Sequence, residues 1–572
     1  MNSEHHEKKD RLGWHWLLAV ATALLGIMVF APALTYDFVY DDLVEIRRYE
    51  ETFSGSPWNL LFMVQSRLYR PVKYLTLYLD RALWGWNPAG FHLMNLILHG
   101  AVCALLFLLF RGLGFSKLGG IIGAFWFAVH PIHTESVVWI SARSSMLSAL
   151  GVLGFLYFYL RWREKGRYGF LLAGVVFCLV GVFSKEDALM VLPLLGALEL
   201  FYPLPTLDAP VRKKRLIIAL ISAAVPAILY VVVRLSFMEG VAQAEAALGL
   251  GDRVLRIPAL MARDIGQLVY PAIMTVDHPV GGASLGIGFW LGIVTMVVLL
   301  SPFFIRRERR SFLKFSVAWF FLFLAPVCGL VPINQPFADR FLYLPSVAGG
   351  MALSGLWDVI SRHRQAWKRV FLIAWGALIV VYMIRGVLYE STWKNGETLW
   401  NHAVRINPAS FRGWNNLAVL ANNRGHYGKG LALSNKALDI KAGYVEAKLA
   451  KAFALDRLGR HEQALAMYRK SLLMNPENTQ ALYLFADFLE RRGRLEEADG
   501  LYDRIFRIRP GFVEARIAAG VLNMKMGNKK KAISLWEKAL EFDPDNQMAR
   551  HNLLRARREQ GKDLSREKTS HR

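Results

Sequence analysis

Cysteine is scarce in this chain, and its scarcity excludes two common ways of stabilising a fold. The 572 residues include three cysteines, Cys103, Cys178 and Cys328, all in or beside apolar segments. Their positions match no disulfide framework and no metal-binding spacing, so the sequence predicts small apolar packing residues at all three.

Acidic residues are few relative to basic ones, with 45 Asp and Glu against 69 Lys and Arg, a net charge of +24. A basic excess is common in nucleic-acid-binding proteins. Here much of it lies in short loops between apolar segments, which is the pattern of membrane topology. We therefore expect no nucleic-acid partner.

Long apolar runs are missing from the part of the chain that follows Glu390. Before Glu390 they follow one another, separated by short charged loops, and after it come polar stretches rich in Ala and Leu. This shift predicts a membrane domain at 1–390 and a soluble domain at 391–560. The charged tail at 561–572 is expected to be disordered.

The apolar segments predict the number of membrane spans. The first segment, Trp14 to Leu34, is about 20 residues long, and no small-residue cleavage site precedes Tyr36, so we interpret it as an uncleaved first helix. Ten further segments lie at 92–110, 119–140, 145–160, 168–183, 187–203, 216–235, 286–305, 312–332, 340–360 and 370–388. The predicted fold class is all-α, a bundle of about eleven transmembrane helices followed by a helical-repeat domain.

The loops predict the orientation of this bundle. With a cytoplasmic N-terminus, all five cytoplasmic gaps are basic, as the positive-inside rule requires. Their basic residues are Arg111 and Lys117; Arg161, Arg163, Lys165 and Arg167; Arg212, Lys213, Lys214 and Arg215; Arg306, Arg307, Arg309, Arg310 and Lys314; Arg362, Arg364, Lys368 and Arg369. An odd number of spans places the C-terminal domain outside. One alternative stays open in loop 236–285, where Pro258 to Tyr270 is either an interfacial helix or a further span; we expect the former.

A period of 34 residues organises the C-terminal domain. Pro408, Pro476, Pro510 and Pro544 lie on one lattice of that period, with Ala442 at the missing position. Glycines recur 17 residues after these positions, at Gly425, Gly459, Gly493 and Gly527. This is the period of the tetratricopeptide repeat (TPR), in which glycine closes the turn within a helix pair and proline ends the second helix. We expect four clear repeats from about residue 411, preceded by a degenerate helix at 392–406.

A TPR array predicts a right-handed curved solenoid whose concave groove binds a peptide or a partner protein. A rigid spacer and a dimerisation surface are the alternatives. Because TPRs carry no chemistry themselves, a reaction has to be sought in the membrane domain.

Two adjacent carboxylates follow the first predicted span, in the sequence YDFVYDD. Asp41 and Asp42 therefore stand at the external membrane surface. One member of such a pair can ionise and act as a base while the other stays hydrogen-bonded or bound to a cation. A solvated turn is the alternative.

The third apolar segment ends in HPIHTESVVWISARS, which groups His130, His133 and Glu135, with Arg143 shortly after. Imidazole and carboxylate suit zinc. However, Pro131 interrupts the helix between the histidines, and no third strong ligand follows at a familiar spacing. We therefore expect no metal and predict a hydrogen-bonding wall of a polar cavity.

Two later external turns also present charges. Lys185, Glu186 and Asp187 lie in SKED, and Asp339, Arg340 and Tyr343 lie in ADRFLYLPS. Lys and Arg at this depth suit the phosphate of a lipid-linked headgroup. Mutual salt bridges with interfacial snorkelling are the alternative.

The segments DFVYDD, RPVKYLTLYLDRALWGWNPAGFHLMNLILH, FAVHPIHTESV, SKE and ADRFLYLPS occur in this order. Together they resemble the transmembrane-and-TPR O-mannosyltransferases of animals and their bacterial relatives, which are GT-C glycosyltransferases. The resemblance covers nearly the whole chain, and HPIHTE and ADRFLYLPS are its most specific parts. Asp187 departs from it, because animal relatives usually have Gln there, and loop 236–285 matches weakly.

The resemblance implies a GT-C enzyme with an acidic catalytic motif in its first external loop, matched by Asp41 and Asp42. It implies a polyprenyl-phosphate-linked sugar as donor and a protein hydroxyl as acceptor. Short basic loops and modest length suggest a bacterial inner-membrane protein that uses undecaprenyl phosphate, with its TPR domain in the periplasm. No cofactor is expected to be required, since Lys and Arg match the phosphate, although Mg²⁺ or Mn²⁺ is compatible.

These lines combine into one hypothesis. Asp41 is the general base, while Lys185 and Arg340, with Arg143, stabilise the departing phosphate. The residues expected to hold the headgroup or line the cavity are Tyr69, Arg70, Lys73, His133, Glu135, Glu186 and Tyr343. Two rivals stay open: a non-catalytic TPR scaffold for envelope or pilus assembly, and a transferase acting on lipid or polysaccharide.

Overall fold

Helices make up nearly all of the structure, as the sequence predicts. The computed structural model describes residues 2–46, 64–65, 68–202, 208–237, 249–279, 286–304, 311–330, 335, 337–544 and 546–570. Within them, β1 (Val64–Gln65) and β2 (Leu68–Tyr69) form one short antiparallel hairpin. The chain divides into two compact units, Met1–Asp42 with Val64–Leu399, and Leu43–Met63 with Trp400–Arg572.

The first unit is a bundle of helices joined by short 3₁₀ turns. Its helices are α1 (Asn2–Val29), α2 (Pro71–Trp84), α3 (Pro88–Gly112), α4 (Lys117–Val129), α5 (Thr134–Val138), α6 (Ser144–Lys165), α7 (Tyr168–Val182), α8 (Val191–Phe201), α9 (Ala209–Phe237), α10 (Leu250–Val269), α11 (Ile287–Phe304), α12 (Ser311–Leu324), α13 (Val347–Ile360) and α14 (Gln365–Glu390). Local signals mark their ends, because the Ser116 hydroxyl caps α4 by accepting from the Gly119 N–H, and Gly166 ends α6 with φ 71°.

Each of the eleven predicted apolar segments contains a helix, but the helices differ in length. Among the described residues, five are long and apolar enough to cross a membrane: Pro88–Gly112, Ile140–Lys165, Ala209–Ser236, Ile287–Phe304 and Gln365–Trp393. Five shorter apolar helices accompany them, at His15–Val29, Lys117–Val129, Tyr168–Val182, Ser311–Val327 and Val347–Ile360. The predicted segment 187–203 contains only α8, which has 11 residues.

Proline explains why several segments are shorter than their apolar runs. The predicted span 119–140 stops at Val129, because Pro131 lacks an N–H and disfavours helical geometry at His130. A 3₁₀ turn at Pro131–His133, the short α5 and a second turn at Ile140–Arg143 follow. Irregular backbone at membrane depth is tolerated where protein buries it, and residues 127–149 are all buried. The breaks therefore bring polar turns into the interior of the first unit.

Glycine allows close helix packing in this unit. A Cβ on Gly151 of α6 would lie 2.3 Å from the Cα of Gly181 in α7, and one on Gly123 of α4 would lie 2.2 Å from the carbonyl oxygen of Gly350 in α13. Small residues permit such backbone approach between membrane helices. Helix α10 contacts α11 in the same way, since a Cβ on Gly292 would meet Pro258. The position of α10 at the membrane interface stays a prediction.

The second unit contains the TPR array. Its helices are α15 (Gly396–Ile406, which begins before the division between the units), α16 (Phe411–Asn423), α17 (Tyr427–Ile440), α18 (Val445–Arg457), α19 (His461–Met474), α20 (Thr479–Arg491), α21 (Leu495–Ile508), α22 (Val513–Lys525), α23 (Lys529–Phe542) and α24 (Gln547–Ser570). The four lattice glycines adopt φ values of 81°, 80°, 73° and 81°, the left-handed region that closes each turn. The period thus corresponds to four helix pairs, α16–α17 to α22–α23.

Some predicted features differ here or lie outside the described residues. Helix α24 continues to Ser570, so the tail expected to be disordered is helical that far, consistent with its Arg, Glu and Lys content. The basic residues of the gap at 305–310, the loop parts 47–63, 238–248 and 280–285, and Asn334 lie outside the described residues.

Candidate active site

The acidic loop after α1 holds its two carboxylates differently. Asp42 is fully buried: its Oδ1 accepts from the Ser141 N–H at 2.9 Å and hydroxyl at 2.7 Å, and its Oδ2 accepts from the Val39 N–H at 3.1 Å. Burial, aided by the charge of Asp41, raises the pKa of Asp42 to about 7 despite these donors. Asp42 therefore anchors the loop, whereas the partly exposed Asp41 is accessible for chemistry.

The backbone just before this pair is strained. Tyr40 has φ 57° and is the one non-glycine residue with positive φ in the described part of the chain. Such a conformation is costly for a bulky side chain and persists where surrounding contacts enforce it. Here the Tyr40 ring stacks on Trp139, with centroids 5.2 Å apart. The loop is thereby fixed to the turn between α5 and α6.

The HPIHTE segment supplies a buried polar core and one acid. His133 Nε2 lies 2.9 Å from the Ser346 hydroxyl, and His99 Nδ1 lies 2.7 Å from the Tyr343 hydroxyl. All four side chains are buried. His133 and Tyr343, predicted to line a cavity, therefore lie in a closed core. Among the described residues, no group of three or more His, Cys, Asp or Glu side chains is arranged to hold a metal ion.

Glu135 contacts the turn that contains Arg340, which the sequence predicts to be external. Arg340 donates from its backbone N–H to Glu135 Oε2 at 2.9 Å, from one guanidinium nitrogen to Glu135 Oε1, and from the other to Gln335 Oε1 at 2.6 Å. Glu135 is completely buried and Arg340 is 18% exposed. Residues 205 positions apart in sequence thus form one ion pair at the edge of the bundle.

The SKED turn lies within a second group of ion pairs. Lys185 Nζ lies 2.9 Å from Asp187 and 3.2 Å from the Ser145 hydroxyl. Glu186 pairs with Arg70 at 2.9 Å and with Arg234 at 3.3 Å. Burial alone would raise the pKa of Glu186, but the two guanidinium groups outweigh it and lower the pKa to about 2. Glu186 is therefore ionised across the physiological range.

These groups converge on one aromatic side chain. The Lys185 Nζ lies 6.0 Å from the centre of the Phe341 ring, and the Arg340 guanidinium lies 5.0 Å from the same ring. Arg340 also lies 5.2 Å from the Trp139 ring, on which Tyr40 stacks. A continuous series of contacts, Tyr40–Trp139–Arg340–Phe341–Lys185, therefore connects the acidic loop to the candidate phosphate cations.

Two further predicted site residues are buried in the first unit. Arg143 is fully buried: it lies 2.5 Å from Asp80 and donates to Asn95 Oδ1 at 2.7 Å and to the Phe91 carbonyl at 3.0 Å. The structure thus places Arg143 in an internal ion pair and does not offer it to a phosphate. Lys73 of α2 is likewise buried, 5.6 Å from the Tyr74 ring.

Loop 236–285 contributes residues that the sequence analysis missed. His278 Nε2 lies 2.8 Å from Asp339, and Arg263 of α10 lies 2.5 Å from His278 Nδ1. Because arginine only donates, Nδ1 of His278 accepts from Arg263 and Nε2–H donates to Asp339. Burial raises the pKa of nearby Asp264 to about 8. The sequence signal that could have identified these residues was a DHP motif in a loop predicted to lie on the same side of the membrane as the other site residues.

Comparisons with known proteins add two findings. Profiles described as tetratricopeptide repeat match residues 457–511 and 513–546. Human protein O-mannosyl-transferase TMTC3 is 25% identical over 466 residues, covering 72% of this chain and 50% of the relative. Human protein O-mannosyl-transferase TMTC4 is 24% identical over 480 residues, covering 72% and 63%. The chain thus spans about half to three fifths of the length of these relatives.

Two solved structures of TPR proteins are similar to part of the chain. A thermophilic TPR protein of Thermus thermophilus is 20% identical, with 28% of this chain and 87% of that chain covered and a TM-score of 0.27. YrrB, described as a TPR protein with an unusual peptide-binding site, is 19% identical, with 32% and 90% covered and a TM-score of 0.23.

Fold and site together define the class: an all-helical membrane protein with buried ion pairs in its apolar bundle and a TPR array after it. Within that class, the chain is similar to relatives named TMTC protein O-mannosyl-transferases over about 70% of its length. The resemblance expected from the motifs is therefore confirmed.

Proposed function

We propose that this protein is an inverting GT-C glycosyltransferase of the bacterial inner membrane. It would move a hexose from a polyprenyl-phosphate donor to a hydroxyl of a protein acceptor on the non-cytoplasmic side. The observation that carries the proposal is the contact series from Tyr40, beside Asp41, through Trp139, Arg340 and Phe341 to Lys185. The series connects the loop that carries Asp41 with two cations from distant parts of the chain.

The reaction follows from the chemistry of these groups. The Asp41 carboxylate removes the proton from the acceptor hydroxyl, and the oxygen attacks the anomeric carbon of the sugar. The bond between that carbon and the phosphate oxygen breaks, and the phosphate departs with the electron pair. One displacement inverts the anomeric configuration. Lys185 and Arg340 offset the negative charge that builds on the leaving phosphate.

Charge balance supports a phosphate ligand. The two ion-pair groups contain four cations, Arg70, Lys185, Arg234 and Arg340, and three acids, Glu135, Glu186 and Asp187. Four minus three leaves one positive charge within these groups. Lys and Arg side chains grouped at membrane depth suit an anionic headgroup, which their charges and N–H donors can bind. Arg234, the most exposed of the four at 30%, joins the predicted set.

Topology and recruitment complete the proposal. Eleven apolar helices, counting the short ones with their adjoining turns, would cross the bilayer, with the N-terminus in the cytoplasm and the TPR array in the periplasm. The concave TPR groove would hold the acceptor polypeptide. The names of the relatives favour mannose as the sugar. Lys and Arg would take the role that a divalent ion has in other transferases, so chelation should leave the reaction intact.

The test is a reconstituted reaction. Purified full-length protein in liposomes receives radiolabelled polyprenyl-phosphate mannose, unfolded polypeptide rich in Ser and Thr, and either EDTA or Mg²⁺. Label released from the polypeptide by β-elimination, equal under both conditions, supports the proposal. Label on lipid or polysaccharide alone would indicate the other transferase activity, and no transfer from several polyprenyl-phosphate hexoses would favour the scaffold.

A further inference from the structure

Trp139 has an unused hydrogen-bond donor in the middle of the contact series. Its side chain is 7% exposed, and its indole N–H is buried with no hydrogen-bond acceptor among the described residues. A buried donor left unsatisfied is costly, so each case requires an explanation. Elsewhere in the chain, the buried indoles of Trp319 and Trp536 donate to backbone carbonyls at 2.8 and 3.2 Å.

The contacts of the Trp139 ring relate this unused donor to the proposed reaction. The Trp139 ring lies 5.2 Å from the Tyr40 ring, and Tyr40 immediately precedes the proposed base Asp41. The same ring lies 5.2 Å from the guanidinium of Arg340, a proposed phosphate cation. In an inverting displacement, the base and the leaving phosphate lie on opposite sides of the anomeric carbon. Trp139 contacts the neighbour of the proposed base on one side and a proposed phosphate cation on the other, which is the position expected for a side chain beside the sugar ring.

Local structure holds Trp139 in place. Its backbone carbonyl accepts from the Ala142 N–H at 3.0 Å and from the Asn95 amide at 3.3 Å, at the break between α5 and α6. The Trp393 ring stacks against the Trp139 ring, with centres 6.3 Å apart. The indole is thus preorganised, and ordering it on ligand binding costs little entropy.

Resting on the proposed function, we infer that the Trp139 indole N–H donates a hydrogen bond to a hydroxyl oxygen of the donor sugar. Trp139 is then a sugar-recognition residue, because sugar hydroxyls are acceptors and the neighbouring cations serve the phosphate. Aromatic side chains with a polar tip suit a ligand that has both apolar and polar faces. The indole N–H would distinguish hexoses by the hydroxyl it contacts.

The experiment replaces Trp139 with Phe, which keeps an aromatic ring and removes the N–H. Transfer from polyprenyl-phosphate mannose is measured over a range of donor concentrations. We expect KM for the donor to rise by roughly 3- to 10-fold, the value of one neutral hydrogen bond, with a smaller change in kcat. Trp162→Phe is the matched control, since Trp162 is equally buried and its indole N–H also lacks an acceptor among the described residues.

A donor series separates recognition from packing. Mannose donors lacking one hydroxyl at a time are compared in wild type and in Trp139→Phe. One deoxy donor should lose several-fold in kcat/KM with wild type and lose nothing further with the variant. Equal losses in both proteins for every deoxy donor, or a Trp139→Phe protein that matches wild type, would overturn the inference.

Two further outcomes are distinguishable. If Trp139→Phe unfolds below the wild-type temperature, β-benzothienylalanine at position 139 replaces the N–H with sulfur in the same shape, and the donor series is repeated with that protein. If the wild type itself transfers no sugar, the proposed function and this inference both fall. Transfer by wild type with an unaffected variant removes the inference alone.

Discussion

Both units of this protein are helical, but they place their charges in opposite ways. In the first unit, ion pairs are buried and join distant residues: Arg143 with Asp80 is completely buried, and Arg340 with Glu135 spans 205 positions. In the TPR unit, pairs are more exposed and follow the repeat: Lys525 and Glu490 are 35 positions apart, and Arg494 pairs with Glu497.

The difference shows which interactions stabilise each unit. The TPR array is stabilised by small residues at its helix contacts, since Ala464, Ala498 and Ala532 are fully buried at the repeat period. Most of its charged side chains lie on the surface. In the first unit, burying a charge is costly unless it is paired or used, so each pair there is either structural or part of the site. Four predictions probe this contrast.

The largest effect should come from the acidic loop. Asp41→Asn keeps the shape of the side chain and removes the base, so sugar transfer should fall by about 10²–10⁴-fold. Asp37→Asn is the matched control, because Asp37 is an exposed acid four positions earlier in the same loop. Both proteins should unfold at the wild-type temperature. Full transfer by Asp41→Asn would remove Asp41 from its role.

The second prediction compares a buried pair with an exposed one. Asp80→Ala leaves Arg143 buried without its partner, so the free energy of unfolding should fall by about 3–5 kcal/mol. Arg494→Ala in the TPR unit breaks an exposed pair and should leave unfolding unchanged. Denaturant unfolding in detergent, followed separately for each unit, measures both. Equal losses would contradict the proposed contrast.

The third prediction concerns the exception within the TPR unit. Asp456 is buried, forms an ion pair with Arg491 at 2.8 Å and accepts a hydrogen bond from Arg492 at 2.9 Å, both in the next repeat. Asp456→Ala should destabilise the array by about 1–3 kcal/mol, less than Asp80→Ala because the arginines left behind remain partly hydrated. Asp503→Ala, which removes an exposed acid, is the control. An effect as large as that of Asp80→Ala would mean that the repeats depend on buried charge.

The smallest effect is a shift in pH dependence. The Ser141 hydroxyl donates to Asp42 and lowers its pKa, which burial raises to about 7. Ser141→Ala should move this ionisation upward by about half a unit to one unit. Asp42 holds its proton more tightly when folded than its ordinary value of 3.8 allows, so stability falls as pH rises from 3.8 to about 7. The variant should extend that loss to higher pH.

The pH dependence of transfer and of unfolding measures this shift. Ser136→Ala is the control, since Ser136 is a buried serine five positions earlier whose hydroxyl has no partner among the described residues. An unchanged profile in Ser141→Ala, or an equal change in both variants, would show that Asp42 is not the titrating group.

The amount of structure that the sequence predicted differs between the two units, and the reason is physical. TPR contacts join residues one repeat apart, so the glycine and alanine lattice predicted the helix pairs and their turns directly. Apolar runs likewise predicted the helices of the first unit. Pro131 was recognised as an interruption, but other breaks were not predicted: the apolar segment 340–360 continues through Pro345, whereas α13 begins at Val347.

The site was only partly predictable. The motifs singled out Asp41, Lys185 and Arg340, and the structure connects the loop of Asp41 to the two cations through Trp139 and Phe341. The ion pair of Arg143 with Asp80 was not predicted, because Asp80 lies on a separate helix in what had been read as a loop. Arg263 and His278 were missed, because their contacts near Asp339 depend on how a weakly matched loop folds back onto the bundle.

By itself, therefore, the sequence determined the helices, the repeat period and the types of charged residue near the membrane surface, since these follow from local periodicity and hydrophobicity. Only the tertiary structure decided which charged side chains form internal ion pairs and which converge on one site. That choice depends on side chains up to about two hundred residues apart competing for partners in a low-dielectric interior, and no local pattern encodes the outcome.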